Sequence, residues 1–313
     1  MKKDILGYIR RIKKEKKLIK KELETGKIKR LKMRRDMLLL AHSLEKGMGI
    51  ENPKQGFGII KAGQLVDLLS QYSSGAGKES DFEYIEGVSV LRKYLEYSSD
   101  TGTDVKLIAK KAEMLFDTGS SFKAGAEWIN MPQLYEKMDQ KAAEYFIKSR
   151  HSIRSFKDIK VDEWDIREAS KLAQMAPSAC NRQPSKVYWT TDCETVQKIN
   201  DLIPGNKGFE QAIPNWAIIT VERSFFNRSE YFQWYVNGGI FVAYFTEGLH
   251  ANKIGSCIFQ IPVDCENAPL IRKLAKIPDT EAIIAAVGFG YAKDDTRILS
   301  AARRMSDETM VKF

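Results

Sequence analysis

Strand-forming patterns are almost confined to the second half of this 313-residue chain, and that asymmetry constrains the architecture more than any other feature. Before residue 185 the apolar residues recur mostly at helical spacing. The stretches 27–46, 59–73, 82–97, 103–116 and 133–148 each read as an amphipathic helix. A Gly/Ser cluster at 73–77 and Thr-Gly and Ser-Ser pairs separate them. Gly47 is expected to stop the 27–46 helix, because glycine tolerates the left-handed conformation that closes one. Upstream, 3–24 reads as a very basic helix with Ile5, Ile12, Leu18 and Ile19 as sparse apolar contacts, interrupted at Thr25 and Gly26.

After residue 160 the pattern changes. Asp162 can cap a helix whose apolar positions are Ile166, Ala169, Leu172, Ala173 and Ala176, and Pro177 prevents its continuation. Strands are expected at 187–191, 216–221 and 282–289, with helices at 196–203, 234–252 and 267–276 between them. Trp216, Phe241, Tyr244 and Phe245 are expected in the core. The chain thus divides into an all-helical extension, residues 1–140, and a layered α/β or α+β domain, residues 141–313. No G-x-G-x-x-G follows any strand, so a dinucleotide site of the Rossmann kind is unsupported.

Charge is as unevenly distributed as structure. Residues 1–40 hold sixteen Lys or Arg against five Asp or Glu, an excess larger than the +9 of the whole chain, so the remainder is slightly acidic. The basic segment could contact an anionic membrane surface through residues 1–24. It offers only Tyr8 among its first forty residues for stacking on bases, so no nucleic-acid partner is expected. Cys180, Cys193, Cys257 and Cys265 form no C-x-x-C pair and no zinc-type spacing with histidine, and no metal site is expected. Without a leader pattern or an apolar run of about eighteen residues, the chain is expected to be cytoplasmic with reduced thiols.

Two short strings carry the chemistry. RHSIRSF, residues 150–156, packs Arg150, Ser152 and Arg154 into five positions at a helix-to-loop junction, a concentration of donors for phosphate or carbonyl groups. APSACNRQP, residues 176–184, places Asn181 and Gln183 on a Pro/Ser-rich loop, where amides can donate and accept toward a heterocycle. Taken alone, the first string is more often a solvated basic face. His42, Glu45 and Lys46 share a helical face, and such a trio is more often a surface salt-bridged group than a catalytic one. Cys257 reads as a buried structural thiol. Tyr231, Phe232, Trp234 and Tyr235 form an aromatic stretch that either walls a pocket or packs beneath a loop. No Ser-His-Asp or paired-carboxylate constellation occurs.

In order and spacing, these strings resemble the nitroreductase-like flavoprotein family. The resemblance extends to NGGIFVAYFTEGLHANKIGSCIF (237–259), AAVGFGY (285–291) and ARRMSDETM (302–310), and covers about 165 residues, just over half the chain. It implies an α+β, three-layer domain with a mainly antiparallel central sheet flanked by helices. It implies FMN as cofactor, NAD(P)H as reductant and a nitroaromatic, quinone or related conjugated acceptor, with no protein acid or base obligatory. By the same resemblance Arg150, His151, Ser152 and Arg154 would hold the phosphate, ribityl chain and pyrimidine edge. Pro177, Ser178, Asn181 and Gln183 would belong to the loop facing a flavin bound mainly by the partner of a homodimer. Ile258, Phe259 and Gln260 would lie over the reactive ring edge, and Asn206 would reach the ring or ribityl chain. Arg303 or its neighbour Arg304 would meet the phosphate, although relatives carry a base two positions earlier where this chain has Ala301. Two alternatives stay open: a flavin-dependent dehydrogenase of a peptide or biosynthetic intermediate, and a non-catalytic flavin-binding module whose helical extension binds a partner.

Overall fold

A computed structural model describes residues 26–73, 81–116, 121–262 and 265–312, together with Ile9, Ile12 and Lys13. Most of the basic 3–24 stretch lies outside the described residues. In the helical half, α1 (Gly26–Met48), α2 (Ile59–Ser73), α3 (Phe82–Asp100) and α4 (Lys106–Ala112) enclose one core. Met37, Ala41, Leu44 and Met48 recur three or four residues apart and so form a single face of α1. That face meets Leu65 and Leu69 of α2 and Tyr84, Val88, Leu91 and Tyr94 of α3. Two of the cations on α1 are answered inside this half. Arg30 pairs with Asp81 at 2.9 Å and lies over the Tyr72 ring, and Arg34 pairs with Glu83 at 2.7 Å.

Gly47 does not stop α1, which continues to Met48. Its role is steric instead. A Cβ there would lie 2.1 Å from the Phe57 ring, so glycine is what lets that ring pack on the last turn. The expected 133–148 helix is two helices, α5 (Met131–Glu136) and α6 (Gln140–Ser149). Asp139 separates them, since its carboxylate caps α6 by accepting from the N–H groups of Lys141 and Ala142.

The second half is a four-stranded antiparallel sheet ordered β1-β2-β4-β3, built from β1 (Ser185–Thr190), β2 (Asn215–Glu222), β3 (Gly255–Gln260) and β4 (Glu281–Gly290). Alternation along β2 sends Ala217 and Ile219 to one face and Trp216 and Ile218 to the other. The first face is covered by α7 (Glu163–Ala173) and the long α9 (Gln233–Ala251). The second is covered by α8 (Cys193–Leu202) and α10 (Ala268–Leu274). The result is a three-layer α+β domain. α7 and α9 approach closely at Gly248, where a Cβ would sit 2.4 Å from the Ala169 carbonyl oxygen. Trp216 is fully buried, and its indole N–H donates to Asn200 at 2.7 Å, which satisfies the one polar atom it brings into the core. β3 is a strand beyond the three that the sequence pattern predicts.

Helix α1 serves both halves. On the side away from its own bundle, Leu38 is buried with Val221 and Ala282 of the sheet and with Phe225, Phe226 and Trp234. Burying one leucine in this way stabilises by roughly 1.5–3 kcal/mol. The extension is therefore joined to the sheet domain by an apolar interface, as its leucine content suggests. No helix among the described residues is long and apolar enough to cross a membrane.

Candidate active site

The RHSIRSF segment leaves α6 and runs along the free edge of β3. Ser152 bridges Ser256 in parallel fashion, and the Ile153 N–H donates to the Ser256 carbonyl at 2.9 Å. Gly255 permits this contact, since a Cβ there would meet the Ile153 side chain at 2.9 Å. Edge pairing fixes the two arginines on either side of Ser152. Arg154 donates to the Ser152 carbonyl at 3.3 Å and lies over the Phe209 ring at 5.8 Å. Among the described residues neither Arg150 nor Arg154 has a carboxylate partner, so both guanidinium groups keep free donors. Ser152, Arg150 and Arg154 all surround Cys257, whose thiol burial pushes up in spite of the two nearby cations. A thiol raised in this way is an inert core group, as the sequence suggested.

At the same junction, His250 at the end of α9 exchanges a 2.8 Å hydrogen bond with the Ser149 hydroxyl, and its ring packs on Phe146. Burial, then the positive charges of Arg150 and His151, hold the His250 imidazolium below its ordinary pKa. The neutral imidazole is favoured there, and the arginines are the permanent cations at this edge.

The second string forms a tight loop. Ser178 precedes a turn over Ala179–Asn181 in which Cys180, Asn181 and Gln183 all have positive φ, between 46° and 53°. Residues other than glycine held this way cost on the order of 1 kcal/mol or more each, and they persist only where surroundings fix them. The Gln183 N–H donates to the Ser178 hydroxyl at 3.0 Å, and the Gln183 amide donates to Asn181 at 3.3 Å. Pro177, Asn181 and Gln183 are exposed on the outer side of this loop. The inner side is held by a residue that sequence reasoning missed. Arg182 is 1% exposed and forms a bidentate pair with Glu230, at 2.6 and 2.9 Å. It also donates to the carbonyls of Ala179 and Phe225, and its guanidinium stacks on Phe226 at 4.6 Å. Arg182 is the main reason the Glu230 carboxylate sits below its usual pKa.

The remaining site candidates are placed unequally. Ile258 and Gln260 point outward from β3 on the same edge as the arginines, whereas the Phe259 ring is buried against Trp216 and Phe209. Phe259 can therefore offer a ligand only its backbone. Asn206 is buried, and its amide donates to the Asn200 carbonyl at 2.7 Å, which fixes the 203–209 loop rather than facing open space. Arg303 and Arg304 lie on an exposed C-terminal tail, with Arg303 bonded to local carbonyls and Arg304 to Glu308 at 3.3 Å. Among the described residues the tail brings neither arginine a partner from the sheet domain. Of the aromatic stretch, Trp234 packs beneath the 222–226 turn, while Phe232 is half exposed at the start of α9 with φ 73°.

The His42 trio is not a surface group. Lys46 is exposed, but the Glu45 carboxylate turns inward and accepts the Gly125 N–H at 3.2 Å. Opposite it, burial and then the charge of Glu45 push the buried Glu86 carboxyl up to about 7. Because this folded pKa lies above the ordinary 4.5, Glu86 contributes full stability below that value, and the contribution is lost as pH rises through 7. Glu86→Gln, which mimics the protonated form, is expected to raise the thermal midpoint by a few degrees near pH 8 and to change it little near pH 5. Calorimetry at both pH values checks this, and an equal shift at both would show that ionisation is not involved.

Residues 147–207, which include both strings, match the model of the nitroreductase family. A curated protein of Archaeoglobus fulgidus, named for NADH dehydrogenase or NAD(P)H nitroreductase activity, is 26% identical over 164 residues, which is 52% of this chain and 92% of that one. Among solved structures, an FMN-dependent nitroreductase from Clostridium difficile is 23% identical with a TM-score of 0.45, covering 54% of this chain and 96% of its own. A nitroreductase-type protein from Desulfovibrio desulfuricans, solved in complex with FMN, is 19% identical with a TM-score of 0.48, covering 56% of this chain and 98% of its own.

Proposed function

We propose that this chain, whose C-terminal half is nitroreductase-like, is an FMN-dependent oxidoreductase that takes reducing equivalents from NAD(P)H and passes them to a small conjugated acceptor such as a nitroaromatic or quinone. The observation that carries the reading is the pair Arg150 and Arg154, set beside Ser152 on the open β3 edge, where Arg154 spends one donor on the Ser152 carbonyl and neither guanidinium has a carboxylate partner among the described residues. The residues fit the cofactor. Two planar cations suit a terminal phosphate, the Ser152 hydroxyl and the His151 backbone suit a polyol chain, and outward Ile258 and Gln260 offer an apolar wall and an amide. FMN, when bound, supplies the redox chemistry itself, so the protein needs to bind, orient and shield rather than to provide an acid or base. The Pro177–Gln183 loop presents amides and a hydroxyl to the ring of a flavin held by a second copy of the chain.

A homodimer is part of this reading, and the surface of the single chain supports it. Trp128 is 96% exposed, and Ile129, Leu134, Tyr135, Met138, Tyr145 and Ile147 of the 128–147 stretch are exposed with it. On the tail, Ile298, Leu299, Met305, Met310 and Val311 are exposed as well. Apolar surface on this scale in two segments marks an interface. The tail then covers the partner and brings Arg303 or Arg304 to the phosphate. Truncation after residue 296 is expected to abolish dimerisation and flavin binding together. Light scattering with flavin absorbance checks this, and a monomer with full flavin occupancy contradicts it. Loss of visible flavin absorbance on anaerobic addition of NADH or NADPH tests turnover, and a bound flavin that neither reduces would favour a non-catalytic binding module.

A further inference from the structure

The helical extension is attached at a particular place. Besides its apolar contact through Leu38, α1 packs directly against the Ala179–Asn181 turn and the Arg223–Phe225 turn. Arg35 of α1 also contributes its positive charge at Glu230. The loop that carries Pro177, Ser178, Asn181 and Gln183 therefore rests on α1 as well as on the sheet domain. Its anchors are Asn237 of α9, which accepts the Ala179 N–H at 2.8 Å, and Arg182. Arg182 in turn is clamped by the Phe225 carbonyl, the Phe226 ring and Glu230. Phe225 and Phe226 are the aromatic residues that Leu38 buries.

We propose that α1 is a positioning element for the Ser178–Gln183 loop, acting through Leu38 on the 225–230 segment and through that segment's hold on Arg182. The cofactor-facing conformation of the loop then depends on the N-terminal extension, and Leu38, Arg182 and Glu230 are positioning residues. This rests on the flavin reading above only for its functional consequence. The physical basis is the left-handed backbone at Cys180, Asn181 and Gln183, which needs external restraint to persist. Arg182 supplies the restraint from inside the loop, and α1 supplies the wall behind Arg182.

Two variants and one control test it. Leu38→Ala changes the wall without touching the loop's polar groups, and Glu230→Gln weakens the clamp. Leu65→Ala, in the core of the extension away from the sheet domain, controls for general destabilisation. Hydrogen exchange of the 180–183 amides in the flavin-free protein is expected to speed up about tenfold in each of the two variants, with the double variant less than multiplicative. The FMN dissociation constant is expected to rise by a similar factor, with an altered visible circular dichroism of the bound flavin, under conditions where every variant is folded. Leu65→Ala should lower the thermal midpoint and leave all three readouts unchanged. If Leu38→Ala moves loop exchange no more than Leu65→Ala does, the proposal is overturned. If the wild-type protein binds no FMN, the cofactor reading fails, and the exchange measurement still decides whether α1 positions the loop.

Discussion

Arg182→Ala is expected to destabilise the protein by about 3–5 kcal/mol, the largest effect of any single substitution near the site. The size follows from what would be left behind. Glu230 would lose both of its bonds to Arg182, and the Ala179 and Phe225 carbonyls would lose their donors. The Phe226 ring would face a cavity, since Arg182 is fully buried. Arg182→Met should recover part of the packing but not the clamp, because the pair is a geometric restraint as well as an attraction. Denaturant unfolding of the parent and both variants measures the difference. A loss below 1 kcal/mol for Arg182→Ala would mean that the pair is open to solvent in solution.

The second large effect is expected on binding rather than folding. Arg150→Ala should weaken FMN by about one to two orders of magnitude, since each charge-assisted hydrogen bond contributes roughly 1.5–3 kcal/mol. Stability should change little, because Arg150 has no ion-pair partner among the described residues to strand. Lysine at the same position should restore only part of the affinity, because an ammonium cannot present the planar two-donor fork. Flavin fluorescence titration separates these outcomes. If Arg150→Ala titrates like the parent, the phosphate does not sit on this edge.

How much of this was legible in the sequence depends on the range of the interactions. α7 and α9 could be read because their apolar spacing is local, and the capping carboxylate of Asp162 stands one residue before α7, accepting the Trp164 N–H. β2 and β4 could be read because their apolar runs are short and rich in β-branched residues, which suits a strand buried on both faces better than a helix. The break at Asp139 was equally available, as a capping aspartate inside an apparent helix. β3 was hidden because Gly-Ser-Cys has weak strand preference, and only pairing with β4 and the Ser152 edge makes it extended. The steric role of Gly47 could not be read, because the Phe57 ring that packs on it comes from the following loop.

Within the site, the two strings announced Arg150, Ser152, Arg154, Asn181 and Gln183 because their donors are dense in sequence. Arg182 was passed over as the residue between two amides, although it organises them. Its partner Glu230 lies 48 residues away, and nothing local connects the two. The same distance hid which loop α1 meets, although the leucines of the extension already called for burial against the sheet domain. The Asn206 amide, which binds the Asn200 carbonyl six residues earlier, braces the backbone at a position that the resemblance gives to a ligand contact. A polar side chain near a site is as often a brace for the backbone as a contact for the ligand.

The central claim is that this β3 edge holds FMN, and identifying the flavin released from the purified protein tests it most directly. After reconstitution and removal of excess cofactor, heat-released flavin is separated against FMN and FAD standards and quantified per chain. The account predicts FMN alone, at about one per chain, since it places two sites in each dimer. Recovery of FAD, or of no flavin at all, would contradict it.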